Sequence, residues 1–120
     1  MLRRARPYSA PVQPAVGEVI TVRRVRWVRV HGPSMVPALH DGDTALVRMG
    51  GHPRPGDVVL VRWADRPGQL SVKRAVRRQD DGWWVLGDNG FGSTDSRQLG
   101  PAEVLGVLRW RIAPRPGRIR

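Results

Sequence analysis

The sequence has no cysteine, which excludes disulfides, thiolate metal sites and a cysteine nucleophile. It also has no apolar run approaching the roughly 18 residues that suggest a membrane-spanning helix. Residues 1–17 are basic and proline-bearing but lack the apolar stretch of a secretory leader. No internal repeat is present. These absences set the expectation of a soluble, cytoplasmic protein, with membrane association as the alternative. Lysine is nearly missing too. Of 21 Lys and Arg residues, only Lys73 is a lysine. Arginine keeps its proton in proteins, whereas a buried lysine can lose it. One lysine in 120 residues can arise by chance; it is also the pattern expected where one position alone requires a deprotonable amine.

With 120 residues, the chain has enough sequence for a single domain with a modest core. Its formal charge of +11 permits association with nucleic acid, anionic lipid or acidic protein and says little about fold. Residues 1–17 read as a flexible basic arm, 18–112 as the folded domain and 113–120 as a basic, disordered tail. Within the domain, Glu18 to Val30 interleaves β-branched residues and Trp27 with arginines in an alternation that slips, predicting a half-solvated strand with a bulge or at an edge, its tryptophan packed inward. Thr44 to Met49 is a second strand. Asp57 to Trp63 is a near-continuous apolar run, as in a strand covered on both faces. Leu70 to Arg78 alternates, Asp81-Gly82 suits a hairpin turn, and Trp83 to Leu86 follows as its return strand. Gly87 to Gly100 is a loop too polar to bury without its own hydrogen-bond network. Pro101 to Leu105 predicts one helical turn, and Val107 to Ile112 a last strand with Leu108, Trp110 and Ile112 inward. The fold class is therefore all-β, a small barrel-like domain of short, mostly antiparallel strands.

Two residues in this frame carry candidate chemistry. Ser34 lies in the turn His31-Gly32-Pro33-Ser34-Met35-Val36-Pro37, where Pro33 and Pro37 restrict the backbone. A serine on a stiff turn at a strand end presents its hydroxyl and its N–H together, as a nucleophile requires; serine is also simply a common turn residue. A serine hydroxyl needs a base. His31 is close in sequence, and Lys73 lies on a predicted strand among apolar residues whose burial would lower its pKa. The plainer reading of Lys73 is a surface lysine on an edge strand.

Four segments in order strengthen the first reading. Gly32-Pro33-Ser34-Met35-Val36-Pro37 with Gly42-Asp43, Arg54-Pro55-Gly56-Asp57-Val58-Val59, Val72-Lys73-Arg74, and Gly87-Asp88-Asn89 followed by Ser93-Thr94-Asp95-Ser96-Arg97 resemble the successive boxes of type I signal peptidases. These are serine proteases with a Ser/Lys dyad. The resemblance implies Ser34 as nucleophile, Lys73 as general base and Ser93 as the hydroxyl that orients the amine. It further implies Asp95 and Arg97 as an ion pair beside the site, Gly87, Asp88 and Asn89 as the loop that positions it, and Met35 and Pro37 by the substrate pocket. Some family members take an oxyanion donor from a serine hydroxyl two residues before the nucleophile, where this chain has Gly32. Neither a cofactor nor a metal is implied. The membrane anchors and the larger inserted domain of bigger members are missing, and the size and layout are similar to maturation proteases of nickel-type superoxide dismutase. The expected partner is then a precursor protein whose N-terminal extension is removed, with that dismutase's precursor as the specific candidate.

Two rival classes remain. A self-cleaving repressor shares the dyad but needs a DNA-binding module, and the 33 residues before Ser34 are too few for a helix-turn-helix. A non-enzymatic basic module would bind nucleic acid or membrane through its arginines, with salt-dependent affinity indifferent to Ser34. No nucleic-acid partner is expected on the protease reading.

Overall fold

The computed structural model describes residues 24–120; the basic arm over 1–17 and the first part of the strand expected from Glu18 lie outside these residues. The architecture grows from Val58-Val59-Leu60-Val61, four successive apolar residues that are all buried. Burial on both faces requires neighbours on both faces, so this strand, β3 (Val58–Arg62), is central. Each such side chain contributes roughly 1.5–3 kcal/mol by leaving water. β3 pairs with β4 (Leu70–Gln79) on one side and β6 (Glu103–Ala113) on the other. β6 continues to β2 (Thr44–Met49), and β2 to β1 (Val25–Arg29). β5 (Gly82–Leu86) forms a hairpin with β4, and β7 (Gly117–Arg118) pairs with β6. All of these pairings are antiparallel, in one sheet of order β1-β2-β6-β3-β4-β5.

The sheet curls. Trp83 at the start of β5 exchanges backbone hydrogen bonds of 2.9 and 2.8 Å with Ala102, just before β6. β6, β3, β4 and β5 thereby wrap around one core of Val59, Val61, Trp63, Ala75, Trp83, Val85, Ala102 and Val107. Closure depends on glycine: a Cβ on Gly82 would lie 2.5 Å from the Ala102 carbonyl oxygen. A second core on the other side of β3 gathers Val58, Leu60, Ala45, Val47, Leu108 and the buried residues of the 30–43 turn. The all-β, barrel-like expectation thus holds.

Local expectations fail where register or capping overrides alternation. Trp27 does not pack inward; it is 67% exposed on edge strand β1. Trp110 is 51% exposed, not inward. The β2–β6 register shifts between Leu46 and Val47, whose partners are Trp110 and Leu108, so one extra β6 residue turns Trp110 onto the opposite face from Leu108. The helical turn is at α1 (Ser96–Leu99), not Pro101 to Leu105, because Asp95 and Gln98 form a capping box there. The C-terminal segment is not a disordered tail: β7 pairs with β6, and Ile119 is buried with its N–H on the Arg109 carbonyl.

Candidate active site

Ser34 is fixed by its backbone. The turn from Val30 to Asp43 is clipped at its base by Val30 N–H to the Asp43 carbonyl and Gly42 N–H to the Val30 carbonyl, both 2.8 Å. Gly32, at φ +83, gives its N–H to Asp41 Oδ1 at 2.8 Å. The Pro33 carbonyl accepts from Val36 N–H and from Asn89 Nδ2, and the Ser34 carbonyl accepts from Asn89 N–H at 2.8 Å. Met35 and Leu39, both fully buried, anchor the turn to the core beneath. Apolar anchors below and the Asn89 clamp beside it hold the half-buried Ser34 in one place.

Lys73 comes from the middle of β4, opposite Val59 of β3, and is 4% exposed. Its Nζ donates to Ser93 Oγ at 3.3 Å, and Ser93 Oγ donates to Asp95 Oδ2 at 3.0 Å. Asp95, wholly buried, is saturated further by Gly87 N–H at 2.8 Å and by a two-pronged contact with Arg97, Nε at 2.9 Å and Nη2 at 2.8 Å. Asp95 also caps α1: its side chain accepts from Arg97 N–H, while Gln98 Oε1 accepts from Asp95 N–H. Buried Ser96 pins the turn to β5 by accepting from Val85 N–H at 2.8 Å. Gly87 is where this network touches the serine turn. A Cβ there would collide with Ser93 Oγ and lie 2.9 Å from the Ser34 carbonyl oxygen. Asp88, next along, pairs with Arg74 at 2.7 Å.

Burial dominates at Lys73, lowering its pKa below the ordinary lysine value; the Asp95 charge acts to raise it, and the Arg97 charge to lower it. At Asp95, burial works to raise the pKa but is outweighed by hydrogen bonds from Arg97, from the Gly87 N–H and from Ser93. They hold the carboxyl well below the usual carboxylate range. The result is a fixed negative charge behind a hydroxyl, and in front of it an amine whose pKa burial lowers.

Ser34 and Lys73 line one cleft of about 460 Å³, whose walls include Val28, Leu60, Leu70, Val72, Gly92 and Thr94, with Arg29 and His31 at the β1 end. Of the remaining residues singled out in the sequence, Ser93, Asp95, Arg97, Gly87 and Asn89 are joined behind this cleft, and Asp88 faces Arg74. Met35 and Pro37 are not brought to it. Met35 is rolled into the core by the turn, and Pro37 borders a separate concavity with His40 and Arg111. Sequence reasoning missed Asp41, Ser96 and Gln98. The Asp-x-x-Gln spacing of a capping box was a readable signal for Gln98; nothing in the sequence joins Asp41 to Gly32. Among the described residues, no group of three His, Asp or Glu side chains could hold a metal ion, and no helix is long and apolar enough to cross a membrane.

Residues 10–108 match the family model described as Peptidase S24-like. The chain belongs to this peptidase family. Among the relatives of this S24-like protein are two of Arabidopsis thaliana. Mitochondrial ATP-independent inner membrane protease subunit 1a is 34% identical, the match covering 64% of this chain and 62% of that protein. Subunit 1b is 27% identical over 70% of this chain and 68% of that protein. The chain therefore spans somewhat under two thirds of subunit 1a. Family and relatives together support a peptidase-related function.

Proposed function

We propose that the protein is a serine endopeptidase in which Ser34 is the nucleophile and Lys73 the general base. The observation that carries this reading is the placement of the chain's single lysine, buried, hydrogen-bonded to Ser93 and lining the same cleft as Ser34. Neutral Lys73 Nζ uses one N–H to reach Ser93 Oγ. Because Ser93 spends its own proton on Asp95, its oxygen can only accept from the amine, which leaves the Nζ lone pair for another partner. That partner is the Ser34 hydroxyl. Nζ takes the Oγ proton as Oγ bonds to the substrate carbonyl carbon. The resulting ammonium returns the proton to the leaving amine nitrogen as the C–N bond breaks. Water then attacks the acyl-enzyme through the same base, releasing the acid and restoring Ser34.

The developing oxyanion needs donors that do not reorganise. Among the described residues the Ser34 N–H has no acceptor, so it is free to serve. The Gly32 N–H is already committed to Asp41, so a second donor comes from elsewhere.

The substrate on this reading is a precursor protein whose N-terminal extension threads the cleft, with the precursor of a nickel-type superoxide dismutase as a specific candidate. What supports the narrower reading is the short β4–β5 hairpin between Lys73 and Gly87 and the Gly82-to-Asn89 run that it leads into. A membrane-apposed variant, acting as a signal peptidase on secreted precursors, is favoured by one observation: Trp27, Trp110 and Val25 are exposed on the β1-β2-β6 face, and aromatic side chains flanked by arginine suit a bilayer interface. Comparing protein N-termini in cells with the wild-type gene and with Ser34→Ala tests the assignment. Precursors that keep their extensions only with Ser34→Ala support it and name the substrate. Identical N-termini in both, with both proteins folded and abundant, would refute it.

A further inference from the structure

A second concavity, of about 450 Å³, opens away from the Ser34 cleft, where β3, β4, β6 and β7 meet. Its lining carries four arginines, Arg74, Arg109, Arg118 and Arg120, and a single acidic side chain, Asp57. Three observations distinguish it from a merely basic surface. Arg74 is fully employed: it holds Asp88 through Nε and Nη2, the Gly56 carbonyl through Nη1 and the Arg120 carbonyl through Nη2, so it frames the wall without being available to a ligand. Arg109 and Arg118 have no ion-pair partner among the described residues. And Arg109 Nε is buried with no hydrogen-bond partner at all. A guanidinium cannot shed its proton to relieve that cost. A buried donor without an acceptor is uncommon in a folded protein and calls for an explanation such as a bound ion.

We propose that this concavity binds a phosphate-type oxyanion, with Arg109 and Arg118 as its ligands. Planar guanidinium forks match the oxygen spacing of a phosphate group and bind it through two hydrogen bonds each. A tetrahedral dianion supplies the acceptor that Arg109 Nε lacks and neutralises the two unpaired cations. Strand β7 is what builds the site, because its pairing with β6 brings Arg118 opposite Trp110, next to Arg109, and buries Ile119 at the edge. The phosphate could be free in solution or part of a lipid headgroup. The chemistry recognised is the same, and neither source depends on the peptidase reading.

The experiment is calorimetric titration of inorganic phosphate into the full chain at constant ionic strength, comparing wild type with Arg109→Gln, Arg118→Ala and Arg66→Gln. Arg66 is exposed in the β3–β4 loop and is not part of the concavity, so Arg66→Gln removes the same charge elsewhere. Saturable binding of one phosphate, weakened at least tenfold in Arg109→Gln and Arg118→Ala and unchanged in Arg66→Gln, is expected. Should Arg109→Gln fail to fold, the exposed Arg118→Ala carries the comparison alone. Co-sedimentation with phosphatidate vesicles against phosphatidylcholine vesicles assigns the source. Phosphatidate binding lost in Arg118→Ala identifies a lipid headgroup, and phosphate binding without vesicle binding a soluble ligand. The proposal is overturned by the absence of saturable phosphate binding in wild type. Equal weakening in Arg66→Gln would overturn it too, by reducing the effect to net charge.

Discussion

Two cations are pressed into this small sheet, and their surroundings differ in an instructive way. Lys73, in the Ser34 cleft, is surrounded by a completed polar network: Ser93 accepts from it, Asp95 stands behind, and Arg97, Gly87 and Gln98 saturate Asp95 and its backbone. Arg109, at the other concavity, keeps a buried N–H with nothing to receive it. The desolvation cost of a buried charge amounts to several kcal/mol, and the two side chains can answer it in different ways. Lysine is able to give up its proton, and burial lowers the Lys73 pKa from the ordinary lysine value. Arginine cannot, and needs an anion brought to it. In a chain that otherwise uses arginine throughout, the placement of its one lysine is therefore a chemical distinction between two sites.

The sharpest way to break this comparison is to make the sites alike. Lys73→Arg keeps the charge but offers no lone pair, so it is expected to fold and to lose kcat/KM by about 10³-fold or more, in line with losing a member of a catalytic unit. Ser34→Ala should be equally damaging, and the double variant scarcely worse than either. Lys73→Met removes a buried amine in favour of an apolar side chain of similar length. It should be inactive and yet no less stable in urea than wild type. Substantial cleavage by Lys73→Arg would end the role of the amine as base. Wild-type kcat/KM should also climb with pH as Lys73 loses its proton, with its inflection below the ordinary lysine value because burial favours the neutral form. A flat profile over that range would count against Lys73.

Next in size is the support behind the amine. Asp95→Asn leaves Arg97 without its carboxylate and puts an amide donor among the Ser93, Gly87 and Arg97 donors. At a wholly buried position, with the Ser93 and Gly87 donors left poorly satisfied, this should cost about 1–3 kcal/mol in urea unfolding. The carboxyl is held well below the usual carboxylate range, so its contribution is full above the unfolded-state value near 4 and lost as pH falls through the lower folded value. Wild type should therefore lose stability on acidification and Asp95→Asn should lose less; parallel acid curves would refute this. In Gly87→Ala the methyl group must displace Ser93 Oγ, and overpacking of this kind costs about 1–3 kcal/mol. Activity should fall more than stability, because Ser93 is the group that orients Nζ; a drop in stability with kcat unchanged would contradict that role.

Much of this could be read from the residues, and the remainder could not for specific reasons. The buried run Val58 to Val61 announced a central strand, and the Gly87 to Arg97 loop, too polar to bury alone, has the internal hydrogen-bond network that such a loop requires. Trp27 and Trp110 escaped because the slipped alternation of Glu18 to Val30 points to an edge or a bulge without saying which face stays uncovered, and the register shift opposite Trp110 leaves no mark in the alternation of β6. The C-terminal strand escaped because Pro114, Pro116 and the surrounding arginines resemble a solvated tail, while its order comes from buried Ile119 and from a short turn that pairs Gly117 and Arg118 with Arg111 and Trp110 at the end of β6. Met35 is a pocket residue only by the family resemblance; a turn reverses direction within a few residues, and here it rolls Met35 into the core. The Arg109 concavity could not be seen at all, since it is assembled from four strands and a pairing that no local pattern encodes.

The smallest expected effect is at His31, and it isolates the choice of base. His31 lines the Ser34 cleft and lies three residues from the serine, so by sequence distance it is the natural rival to Lys73. The fold weakens that claim in two ways. His31 is exposed, so nothing fixes its ring, and no hydrogen bond joins its side chain to the serine turn among the described residues. A general base has to be held within about 2.6–3.2 Å of the proton it takes, and the group held by a network here is Lys73. His31→Ala should therefore lower kcat/KM by no more than about threefold, an effect worth under 1 kcal/mol, through lost substrate contacts at the cleft rim. Such a loss should fall on KM with kcat unchanged, and the alkaline rise in rate should persist. Measuring both parameters for His31→Ala across pH decides the matter. A kcat reduced as far as in Lys73→Arg, or a pH profile whose inflection disappears, would move the base from β4 to the serine turn itself.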